Sequence, residues 1–117
     1  MFNREKNKVS NIEIDTLIGS NTQIEGNLTS EKDVRIDGMI KGDISSQSKV
    51  IIGERANIVG DIYAHNIIIY GVVKGNIKGE GLLEIMESGE LHGDIEVKSI
   101  SIKEGGLFYG KSNMITD

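Results

Sequence analysis

A three-residue step returns along this chain: a glycine, then Asp or Asn, then an aliphatic residue. It occurs at Gly26-Asn27-Leu28, Gly42-Asp43-Ile44, Gly60-Asp61-Ile62, Gly75-Asn76-Ile77 and Gly93-Asp94-Ile95, with a degenerate copy at Gly110-Lys111-Ser112. Successive glycines stand 16, 18, 15, 18 and 17 residues apart. Self-similarity at a near-fixed period means that each copy is one structural unit stacked on the next, which excludes an ordinary globular layout. Within a copy, Val34, Ile36, Ile40 and Ile44 fall at even separations, while Arg35, Asp37, Lys41 and Asp43 take the odd positions. A period of two is that of a strand with one buried face.

Upstream of each glycine lies a second shared feature, an apolar-x-apolar pair: Val34/Ile36, Val50/Ile52, Ile67/Ile69, Leu83/Ile85 and Ile100/Ile102. A small residue follows after one intervening residue in two copies (Gly38, Gly71) and after three in the others (Ala56, Gly89, Gly106). The extra residues Gly53-Glu54-Arg55, Met86-Glu87-Ser88 and Lys103-Glu104-Gly105 therefore belong to one corner loop. Because two residues are added, the inward and outward phase survives. The fold class expected is all-β, a parallel β-solenoid of about six coils.

A solenoid needs only a narrow core, since each coil buries its inward residues on its neighbours, so an apolar content of 38% is sufficient. Each inward Ile, Val or Leu contributes about 1.5–3 kcal/mol before ordering entropy is subtracted. The chain has no proline, which suits ladders that use every backbone N–H, and 15 glycines, which suit tight corners. With no cysteine there is neither a disulfide framework nor a thiolate metal site. No apolar run approaches the ~20 residues that span a bilayer, and no signal-peptide core is visible, so the protein is expected to stay where it is made. A net charge of −5 disfavours a phosphate-binding surface and hence a nucleic-acid partner.

Three regions are expected: a tail over 1–11, the β-helix over 12–112, and a short tail over 113–117. The first coil, from Ile12 to Leu28, is incomplete, and Thr22 fills an inward place that later coils give to Gly or Ala. Met1 and Phe2 followed by Arg4, Lys6 and Lys8 make a basic patch behind a small apolar tip. The plain reading is an unstructured start. The functional alternative is a membrane anchor, in which Phe2 contributes about 2 kcal/mol and each basic residue about 1 kcal/mol at an anionic leaflet. Neither end shows a helix pattern long enough to act as a lid, and the last coil carries Leu107, Phe108 and Tyr109 in place of charge. Uncapped solenoid ends expose unpaired N–H and C=O groups over an apolar core. Other copies of the same chain are the expected cover, and end-to-end stacking makes a filament.

The repeated Gly-Asp-Ile step, the varying coil length, the missing cap helices and the Met-Phe-plus-basic start together resemble the bactofilins, bacterial cytoskeletal proteins. The likeness covers residues from about 18 to 112, and more loosely 1 to 8. It implies a right-handed, three-faced β-helix that polymerises without nucleotide or other cofactor, through head-to-head and tail-to-tail contacts. It also implies a position on the cytoplasmic face of the inner membrane, as a scaffold for cell-wall, cell-shape, stalk or motility proteins. Phe108, with Leu107 and Tyr109 beside it, matches the aromatic polymer contact of the family's last coil. Met1, Phe2, Arg4, Lys6 and Lys8 match its membrane-targeting start. The long proline-rich or charged tails of many members are lacking.

Other constellations have simpler readings. The column Asn27, Asp43, Asp61, Asn76 and Asp94 would put oxygens about 4.8 Å apart, a conceivable calcium ladder. Corner residues bonding to the next backbone N–H are the simpler account, since two of the five are amides. His65, in a corner, and His92, facing outward, have no evident partners and read as surface residues. The string Gly75 to Gly81 opens no helix and contains Glu80, which argues against a phosphate cradle. Tyr63, Tyr70 and Tyr109 are too scattered to stack bases. An enzyme of the left-handed β-helix acyltransferase kind is the main alternative function, but its aliphatics would recur in sixes rather than in twos and fours. A monomeric β-helix binding module is a further alternative.

Overall fold

The computed structural model describes residues 14–116 of the chain. Three strands per coil build three six-stranded parallel sheets, one on each face of a six-coil solenoid. The first face holds β1 (Ile14–Ile18), β4 (Asp33–Ile36), β7 (Lys49–Ile52), β10 (Asn66–Ile69), β13 (Leu82–Ile85) and β16 (Ser99–Ile102). The second holds β2 (Gln23–Glu25), β5 (Met39–Lys41), β8 (Asn57–Val59), β11 (Val72–Lys74), β14 (Glu90–His92) and β17 (Leu107–Tyr109). The third holds β3 (Leu28–Ser30), β6 (Ile44–Ser46), β9 (Ile62–Ala64), β12 (Ile77–Gly79), β15 (Ile95–Val97) and β18 (Ser112–Met114).

Like stacks on like. Val34, Val50, Ile67 and Leu83 form one inward column of the first face, and Ile36, Ile52, Ile69 and Ile85 the next. Ile40, Ile58, Val73 and Leu91 line the second face, and Ile44, Ile62, Ile77 and Ile95 the third. All sixteen are buried, which is the core that the period of two predicts.

The long corners are four-residue turns closed by Ala56 N–H to Gly53 O (3.0 Å), Gly89 N–H to Met86 O (2.9 Å) and Gly106 N–H to Lys103 O (2.8 Å). A fourth, from Gly19 to Thr22, closes the same way at 3.1 Å and gives the first coil a long corner too. Thr22 fits below Gly38 because, among the described residues, no coil lies beneath it. Two-residue insertions account only for the even differences in spacing. The odd ones arise at the corner between the third face and the first, where His65 and Lys98 stand alone while other coils use two residues. There one carbonyl of the longer corner below accepts two N–H groups, Ser48 O from His65 and Asn66 (2.9 and 3.2 Å), and Gly81 O from Lys98 and Ser99 (3.2 and 3.1 Å). No donor is orphaned, so a residue can be dropped at a corner without reversing the strand's phase.

Candidate polymer faces and corner ladder

The corner between the second face and the third is the most constrained part of each coil. Gly42, Gly60, Gly93 and Gly110 have φ between 150° and 154°, a region that L side chains avoid. A Cβ on Gly60 would also stand 2.0 Å from the carbonyl oxygen of Gly42 in the coil below. Beside this spine runs the Asn/Asp column. Asn27 Oδ1 accepts the N–H of Asp43, Asp43 that of Asp61, Asp61 that of Asn76, and Asn76 that of Asp94, each at 2.9 Å. Asp94 accepts from Lys111 at 3.0 Å. These are the corner bonds anticipated from sequence, and Asn serves as well as Asp because only an acceptor oxygen is used. Asp43, Asp61, Asn76 and Asp94 of this column line an open groove of about 600 Å³ together with Ser45, Tyr63, Lys78 and Glu96. Among the described residues no group of His, Asp or Glu is arranged to hold a metal ion.

Both histidines have carboxylate neighbours that spacing alone did not reveal. His92 Nε2 lies 2.5 Å from Glu90, two residues away on the same side of β14, and its ring stacks on Tyr109 at 4.7 Å. His65 Nδ1 stands 3.7 Å from Glu80, to which Tyr63 also donates at 3.1 Å. That hydrogen bond to the carboxylate raises the Tyr63 pKa above its ordinary value, because the phenol must keep its proton to donate. Such exposed pairs add little stability.

At the last coil the core column ends in the open. Phe108 sits on Leu91, Ile100 on Leu83, Ile102 on Ile85, and Met114 on Val97. Phe108 and Ile100 remain partly covered, while Ile102 and Met114 are more than two-fifths exposed. The three aromatic and aliphatic residues singled out in β17 therefore divide. Phe108 lies in the end layer, whereas Leu107 and Tyr109 point outward from the second face. Ile100, Ile102 and Met114 share the end with Phe108. The same period of two, carried through the final coil to Met114, is the signal that finds them. At the opposite end Ile18, Ile24 and Leu28 pack half-buried against the core. Met1, Phe2, Arg4, Lys6 and Lys8 lie outside the described residues.

Residues 16–113 match the model of the bactofilin family, described as polymer-forming cytoskeletal. The chain belongs to the bactofilin family. As a bactofilin it is a structural protein and not an enzyme. A cryo-EM reconstruction of bactofilin double helical filaments from Thermus thermophilus is similar at a TM-score of 0.75 and 25% identity, covering 83% of this chain and 96% of that one. The crystal structure of a phenylalanine-to-arginine mutant of a bactofilin from the same organism gives a TM-score of 0.71 at 22% identity, covering 74% and 97% respectively. No curated protein sequence matches this bactofilin. Among its described residues no helix is long and apolar enough to cross a membrane.

Proposed function

We propose that this bactofilin polymerises without nucleotide by stacking its β-helices end to end, head to head and tail to tail, and that its strands pair as those of the Thermus filaments do. The observation that carries the reading is the end layer of Ile100, Ile102, Phe108 and Met114. It lies open on strands hydrogen-bonded on one side only, with no helix over it among the described residues. A second copy would bury that layer and continue the ladders. Leu107 and Tyr109 flank the contact from the side. Filaments anchored through Met1, Phe2, Arg4, Lys6 and Lys8 would lie on the cytoplasmic face of the cell membrane. One tail binds weakly, but many on one polymer bind firmly. There the filament would scaffold cell-wall, cell-shape or motility proteins.

Replacing Phe108 by Arg places a charge in a desolvated contact, so the variant should remain in short soluble species while the unsubstituted chain pellets without ATP or GTP. Unchanged filaments would refute the assignment. Deleting residues 1–8 should spare polymerisation and abolish co-flotation with anionic liposomes. Flotation that survives the deletion would remove the tail from the membrane contact.

A further inference from the structure

A strand covered on one face alternates apolar and polar residues, whereas a strand covered on both reads as an unbroken apolar run. Two neighbouring strands here read in the second way. β7 contains Val50-Ile51-Ile52 and β10 contains Ile67-Ile68-Ile69, although the outer surface of the first face has no layer over it among the described residues. Ile51 and Ile68 are the outward members. Ile51 is only 6% exposed and Ile68 is half-buried, so Ile68 carries most of the apolar surface that the pair offers. In register they stand between Arg35 on β4 and Glu84 on β13, so the middle of one outward column runs Arg35, Ile51, Ile68, Glu84, with Leu17 and Ser101 at its two ends. From strand spacing, the two charges lie about 14 Å apart along the axis.

That order is its own complement. A two-fold axis parallel to the strands, passing between Ile51 and Ile68, sets two columns face to face and antiparallel. Arg35 then meets Glu84 of the second copy, Ile51 meets Ile68, and both contacts occur twice. A parallel arrangement would instead oppose Arg35 to Arg35 and Glu84 to Glu84. The charges are placed to serve. Asp37 holds only Nε of Arg35, at 3.1 and 3.2 Å, leaving the two terminal nitrogens to donate. Glu84 has no hydrogen bond or ion pair among the described residues. On the second face the corresponding axis, between β8 and β11, would set Val59 against Lys74 and Lys41 against His92, so no opposite charges meet there.

We infer that the outer surface of the first face, centred on Ile51 and Ile68, is the lateral contact through which two copies in neighbouring strands of a filament pair antiparallel. This rests on the reading that the chain polymerises. A patch this small falls well short of the ~1,000 Å² that a stable isolated interface needs, and it becomes effective only when a polymer repeats it along its length.

The experiment separates the two readings. Longitudinal assembly is measured by pelleting, and pairing by the number of strands per filament in electron micrographs. The unsubstituted chain should give two-stranded filaments. Glu84→Arg, which sets arginine against Arg35 of the second copy, should give single strands that pellet as before. Glu84→Gln should give a mixture. For register, filaments grown from a mixture of Lys49→Cys and Asn66→Cys chains should cross-link with a short bis-maleimide, since these positions face each other in the antiparallel arrangement and the chain has no other cysteine. Paired strands in Glu84→Arg, single strands in the unsubstituted chain, or cross-linking only between identical positions would each overturn the lateral contact. So would loss of pairing on deletion of residues 1–13, which would make that segment the occupant. Absence of any pelletable polymer in the unsubstituted chain would instead overturn end-to-end assembly.

Discussion

Alanine at Gly60 should cost far more than alanine at Gly26, although both glycines sit at the same corner and both have positive φ, 151° and 138°. Any L residue held in that backbone region loses about 1–3 kcal/mol. At Gly26 the loss stops there, because a Cβ would meet nothing within 4 Å. At Gly60 the Cβ would lie 2.0 Å from the carbonyl oxygen of Gly42 and 2.6 Å from its carbon. Backbone on both sides must then separate. The bonds strained are Gly42 N–H to Val59 O (2.9 Å), Gly60 N–H to Lys74 O (3.0 Å) and Asp61 N–H to Asp43 Oδ1 (2.9 Å). At ~1 kcal/mol each, their weakening adds about 2–3 kcal/mol. Gly60→Ala should therefore lie about 2–3 kcal/mol below Gly26→Ala in stability. Urea unfolding followed by far-ultraviolet circular dichroism reads the difference, with sedimentation confirming a common assembly state. Equal midpoints for the two variants would show that crowding between coils plays no part and that φ alone selects the glycine.

The column beside that spine makes a paired prediction. Asp61→Asn keeps the acceptor for Asn76 N–H and removes a carboxylate from the row of Asp43, Asp61 and Asp94, so stability should hold or rise slightly, whereas Asp61→Ala should cost about 1 kcal/mol. An equal loss in both would show that charge, not the acceptor, is what the corner uses. For Tyr63, the folded pKa is raised by its hydrogen bond to Glu80, so the bond's contribution is present below the unfolded value near 10 and is lost as pH rises through the folded one. Ultraviolet titration of the phenolate, with Tyr70 and Tyr109 changed to Phe, should show Tyr63 ionising later than in a Glu80→Gln chain. Identical curves would remove the bond.

Much of this fold is written in the sequence because a solenoid repeats its constraints. The inward columns follow from a period of two, the corner glycines from the recurring step, and the Asn/Asp bonds from residues whose oxygens suit turns. What escaped has physical reasons. The single-residue corners at His65 and Lys98 show only as the odd spacings of 15 and 17, which do not say where the residue is dropped, because a carbonyl from the coil below absorbs the loss without disturbing the strand's phase. His92 against Tyr109 is a contact between residues 17 apart whose register becomes known only once both corner lengths are known. At the end face Phe108 was legible by its bulk, but Ile102 and Met114 look like ordinary core residues until the absence of a following coil leaves them bare. The apolar triplets in β7 and β10 interrupt the alternation that β4 and β16 keep on the same face, and only the register shows Arg35 and Glu84 standing on either side.

Coils of different residue number climb by the same step, since the rise is fixed by the separation of hydrogen-bonded strands and not by the perimeter. Six coils at about 4.8 Å give each subunit a length of about 29 Å, and a pair joined end to end about 58 Å. The axial period of a thread built from this chain is therefore counted in turns: lengthening a corner thickens the rod, and only adding or removing a whole turn moves the layer line.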